Sequence, residues 1–60
     1  MLDITYAHKW YEYNYSAIKQ RNGLYKLTCR VTGPDGYYRA HMSYEKTDVE
    51  QADIDRIFAI

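Results

Sequence analysis

The chain lacks most of the devices that hold a very small protein together. It has one cysteine, Cys29, so no intramolecular disulfide can close. Its two histidines, His8 and His41, stand in no CxxC- or HxxxH-type spacing, so no metal or other cofactor is expected. Formal net charge is zero, from eight basic and eight acidic residues. That removes the basic excess that marks binders of nucleic acid or of anionic membranes. No apolar run is long enough to cross a bilayer. The opening residues Met1-Leu2-Asp3-Ile4-Thr5 have neither the charged nor the apolar region of a signal peptide. A lone thiol without an export signal points to the reducing cytoplasm. The initial methionine is read as the start of a complete small protein. Glycine-rich phosphate loops, internal repeats and low-complexity segments are absent from the sequence.

What remains is one domain over residues 1–60, too short to bury a large share of its surface. With disulfides and metals excluded, the available supports are dense aromatic packing, a homodimer or an obligate partner. Aromatic residues are abundant. Eight are tyrosines, most of them at alternate positions in strand-like stretches. Such spacing lines one face of a β-strand with phenol rings.

Leu24 to Thr47 gives the clearest pattern. Tyr25, Leu27, Cys29 and Val31 alternate with Lys26, Thr28, Arg30 and Thr32, as in a half-buried strand. Gly33-Pro34-Asp35-Gly36 is a turn signal. Beyond it Tyr38, Ala40, Met42 and Tyr44 alternate with polar residues. A four-residue loop over Gly33–Gly36 would pair Val31 with Tyr38, Cys29 with Ala40, Leu27 with Met42 and Tyr25 with Tyr44. A three-residue loop would set Val31 against Arg39, so face matching selects the longer one.

Upstream, Arg21-Asn22-Gly23 marks another hairpin, with two registers open. A three-residue loop pairs Ala17 with Leu27, Tyr15 with Cys29 and Tyr13 with Val31, which places the tyrosine row on the core face. A two-residue loop pairs Ile18 with Leu27 and turns Tyr13 and Tyr15 outward, at the cost of burying Ser16 and Asn14. The first is favoured. Near the start, Leu2, Ile4 and Tyr6 alternate at even positions, and apolar parity becomes odd at Tyr11. This reversal implies a bulge, bend or break around Ala7–Trp10.

The period changes at the C-terminus. Thr47 and Glu50 form a capping-box pattern, acidic residues load the first turn, and Ile54, Ile57 and Phe58 make an apolar stripe flanked by Val49, Ala52 and Ile60. The resulting expectation is an α+β fold: strands over about 10–20, 24–32 and 37–46, a helix over about 48–59 on one sheet face, and residues 1–9 as an arm or short fourth strand.

Two surfaces are candidates for binding. Trp10, Tyr11, Tyr13 and Tyr15 suit a protein interface, since exposed tryptophan and tyrosine are favoured anchors there. The plainer reading of Tyr13 and Tyr15 is core packing, and Tyr25, Tyr38 and Tyr44 are assigned to the core under the helix. On the outer sheet face, Lys26, Arg30, Tyr37, Arg39 and His41 could contact nucleic acid; the plainer reading is a solvated polar face. A three-stranded sheet with one helix is similar in outline to the arm domains of phage-type integrases and to the plant AP2 domain. That resemblance implies a sheet laid in a DNA groove. The acidic set Asp48, Glu50, Asp53 and Asp55 could imitate phosphates for a basic partner, though a dipole-matched first turn explains it more simply. Cys29 and His41 fall on opposite faces in the derived register, so no nucleophile–base pair forms, and an enzyme is not expected.

These residues point to a small protein-binding module with another protein as partner. In size and composition the chain resembles the small proteins that phages and mobile elements direct at host systems, such as anti-CRISPR proteins, which implies an inhibitor or adaptor. The alternative reading is a nucleic-acid-binding module that uses the basic sheet face.

Overall fold

The structure, a computed structural model, describes residues 1–59. Among them, strands β1 (Leu2–His8), β2 (Tyr11–Lys19), β3 (Tyr25–Thr32) and β4 (Tyr44–Val49) form one antiparallel sheet in chain order. A C-terminal helix, α1 (Gln51–Phe58), lies on one face. This is the α+β plan read from the sequence, with residues 2–8 forming a full fourth strand.

The reversal of apolar parity at Tyr11 is produced by a tight turn, not by a bulge or break. His8 pairs with Tyr11 across Lys9-Trp10. A two-residue turn joins an even position to an odd one. Leu2, Ile4 and Tyr6 therefore share a face with Ala17, Tyr15 and Tyr13. Lys9 takes a left-handed φ of 55° in this turn, where a side chain is strained. Replacing Lys9 by glycine is expected to raise stability by about 0.5–1 kcal/mol, measured as a higher denaturant midpoint.

Between β2 and β3 the three-residue loop is formed. The Gln20 amide donates to the Leu24 carbonyl at 2.7 Å, and Gly23 takes φ 86°, a conformation open to glycine. Ala17 pairs with Leu27, Tyr15 with Cys29 and Tyr13 with Val31, so the tyrosine row lies on the helix side of the sheet.

The third hairpin departs from expectation. The Gly33 amide donates to the Tyr37 carbonyl, Thr32 bridges Tyr38, and Gly36 is left-handed at φ 83°. The chain has taken the three-residue loop that face matching disfavours. Local turn chemistry outweighs the apolar pattern: Asp35 accepts from the Tyr37 amide at 3.0 Å and pairs with Arg39 at 2.9 Å. A 3-10 turn over Ala40–Met42 then absorbs the mismatch. Pairing resumes with Cys29 opposite Tyr44 and Leu27 opposite Lys46. The strand expected over 37–46 is thus a loop, a 3-10 turn and the start of β4. Tyr38, assigned to the core, lies on the outer face beside Thr32.

The helix also starts later than its capping-box pattern indicates. Thr47 belongs to β4, and Glu50 occupies the N-cap position without a side-chain cap. Asp48, at φ 57°, accepts hydrogen bonds from the Gln20 and Asn22 side chains at 2.7 and 2.9 Å. This bonding draws the end of β4 toward the β2–β3 turn and holds the carboxyl below the ordinary carboxylate range. Ile54 and Phe58 then pack on Ala17 and Leu27, with Leu2, Ile4, Tyr15, Tyr25, Val49 and Ile57 around them. Ile60, read as a flank of the apolar stripe, lies outside the described residues.

Candidate functional site

α1 has eight residues and spans about 12 Å, whereas the nine residues of β2 span about 30 Å. The helix therefore cannot roof its own sheet face. It covers the end that carries Ala17 and Leu27, and the tyrosines occupy the remainder. Tyr6, Tyr13 and Tyr15 line a groove of about 350 Å³, bounded by Arg56 and Ile57 of the helix. On the other flank, Tyr44, Lys46 and Val49 line a second groove of about 430 Å³ that reaches the same two helix residues.

The rings are fixed by specific contacts. Tyr6 and Tyr15 meet edge to face with centroids 5.9 Å apart. The Tyr6 hydroxyl donates to the Ile57 carbonyl at 2.6 Å, satisfying one of the last helix carbonyls. Burial, followed by the neighbouring Cys29 and Tyr44, pushes the Tyr15 phenol up to about 12. Because this value lies above that of a free phenol, the stability it reports is fully present below pH 10 and is lost as pH rises toward 12. An ultraviolet titration should resolve one late-ionising tyrosine, and Tyr15→Phe should remove that component. Burial likewise raises the Cys29 thiol, which is 1% exposed.

At the far end, Tyr11 stands near Arg39, and Trp10 projects from the β1–β2 turn with 75% of its surface exposed. The structure thus brings Tyr11, Tyr13 and Tyr15 onto one partly open floor with Trp10 at its tip. Core face and open surface, opposed in the sequence reading, are two ends of one face. Tyr6 and Tyr44 join this floor and were not among the expected interface residues. A two-residue turn at Lys9-Trp10 would have placed Tyr6 opposite Tyr13, but those residues carry no glycine or asparagine to signal it.

The basic set is dispersed. Lys26 and Arg30 lie on the outer face, where Lys26 pairs with Glu45 at 3.6 Å and Arg30 stacks on Tyr38 at 5.1 Å. Arg39 is on the helix side, folded over Gly33 and bonded to Asp35 and the Tyr37 carbonyl. The four-residue loop would have set Arg30 opposite Arg39 on the outer face; in the loop that forms, Arg39 lies against Val31 instead. His41 sits exposed in the 3-10 turn, and Tyr37 is exposed in the loop before it. Among the acidic residues, Asp48 is bonded as described, Asp53 pairs with Arg56, and Asp55 accepts from Gln51. Glu50 remains at the helix start. Among the described residues, no group of three or more His, Cys, Asp or Glu side chains could hold a metal ion, and no helix is long and apolar enough to cross a membrane.

Neither protein-family models, nor curated proteins, nor solved structures match this chain.

Proposed function

We propose that this protein is a small non-enzymatic binding module that captures another protein on the aromatic floor and the Trp10 tip. It would act as an inhibitor or adaptor in the cytoplasm, of the kind that phages and mobile elements produce. The observation that carries this reading is the unroofed half of the helix-side face, where Tyr6, Tyr13, Tyr15 and Tyr44 line grooves beside a helix too short to cover them. Rigid tyrosine and tryptophan side chains supply large contact area at low entropic cost. The nucleic-acid reading is weaker, because Lys26 and Arg39 are already ion-paired and the basic residues divide between two faces.

The test compares wild-type and Trp10→Ala baits in a lysate of the source cells at low and moderate salt. The expected result is a stoichiometric protein partner retained by wild type at both salts and lost from the variant. Equal recovery on both baits would overturn the reading. So would oligonucleotide binding that collapses on Arg30→Glu, with no protein partner recovered.

A further inference from the structure

We propose that β1 is a dimerisation edge, through which two copies of this chain join by antiparallel β1–β1 pairing into one continuous sheet. The bonding pattern shows which backbone groups are free. The Gln20–Leu24 hydrogen bond closes the β2–β3 loop, so Ile18, Ser16, Asn14 and Glu12 direct their amides and carbonyls to β3. Odd positions of β2 then bond to β1 through Leu2, Ile4, Tyr6 and His8. The backbone groups of Asp3, Thr5 and Ala7 consequently point away from the sheet, and all three residues are exposed.

The opposite side of the sheet is protected. β4 carries a register shift, a left-handed Asp48 and the charges of Glu45, Lys46 and Asp48. Where β3 extends beyond β4, the Val31 carbonyl accepts from the Arg39 amide at 2.7 Å, and the Val31 amide donates to the Ser43 hydroxyl at 3.0 Å. β1 has none of these devices. It contains no proline, bulge or lysine, and Asp3 is its one acidic residue. An edge of this kind is a template for another strand.

The strand is also complementary to itself. A two-fold axis at Thr5 sets Thr5 against Thr5 of the second copy, Asp3 against Ala7, Ile4 against Tyr6 and Leu2 against His8. The outward-directed residues meet one another, as backbone bonding requires, and Asp3 does not face its counterpart. Ile4 against Tyr6 is a favourable branched–aromatic pair. Zero net charge imposes no overall repulsion between copies. The single chain exposes 4530 Å², above the roughly 4100 Å² that a compact monomer of its mass presents.

This edge meets the aromatic floor at Tyr6, but its outward backbone groups and the Trp10 tip are different parts of the surface, so the two readings can fail separately. The test is a light-scattering mass across a concentration series for wild type, Thr5→Pro and Thr5→Lys. Wild type should reach twice the monomer mass as concentration rises. Thr5→Pro should stay monomeric and folded, since its lost amide bonds to nothing within one chain. Thr5→Lys should also stay monomeric, by placing like charges on the axis, and it carries the test if the proline variant does not fold. In the wild-type dimer the amides of Asp3, Thr5 and Ala7 should be protected from hydrogen exchange. A monomer mass at every concentration, or a dimer that survives Thr5→Lys, would overturn the proposal. Trp10→Ala should weaken partner capture without changing the mass, which separates this edge from the binding surface.

Discussion

Ile54→Ala is expected to lower the unfolding free energy by about 3 kcal/mol, read as a large drop in the denaturant midpoint by far-ultraviolet circular dichroism. Ile54 is 0% exposed and, with Phe58, anchors α1 to Ala17 and Leu27. Truncation removes buried aliphatic volume and leaves a cavity, because the short helix has few other buried contacts with which to re-seat. A chain of this length has a total stability of only about 3–9 kcal/mol, so the loss is a large part of the whole. Ile18→Ala is the matched control. Ile18 is 53% exposed on the outer face, and its truncation should cost less than about 0.5 kcal/mol. Equal losses at the two sites would contradict the placement of the core.

Trp10→Ala should weaken partner binding about 30-fold, or about 2 kcal/mol, while leaving the unfolding midpoint nearly unchanged. An indole with 75% of its surface exposed contributes little to folding, so its loss should register almost wholly in binding. Tyr13→Ala should affect both measurements, since Tyr13 lines a groove and is itself half-buried against the sheet. As the only tryptophan, Trp10 also provides a direct signal. Its fluorescence should shift to shorter wavelength when a partner covers it, and an unchanged spectrum at saturation would exclude Trp10 from the interface.

The β2–β3 pairing was legible because two independent signals agreed. Apolar residues matched across the pair, and Gly23 stood where a left-handed residue closes a three-residue loop. At the next hairpin the same two signals conflicted. Matching Tyr38, Ala40, Met42 and Tyr44 to β3 required a four-residue loop, whereas Gly36 and the Asp35–Arg39 pair favoured three. The 3-10 turn that reconciles them leaves no strong local mark, since Ala40-His41-Met42 also fits a strand. Thr47 was a plausible helix cap by sequence, and what displaced it was non-local. Gln20 and Asn22 hold Asp48 from a turn far away in the chain. The candidate site was half legible for a related reason. Alternation placed the tyrosines on a common face, but whether that face is roofed depends on helix length, and the helix starts only at Gln51, beyond Asp48.

Each strand lies beside its neighbour in the chain, so the sheet can grow by successive hairpin closures without first shutting a long loop. The bond between Gln20 and Asp48 is different, because it joins positions 28 residues apart and spans a hairpin that must already exist. Kinetically it acts as a latch. Removing it by Gln20→Ala should leave the folding rate nearly unchanged and speed unfolding, as β4 and the helix peel more readily from the completed sheet.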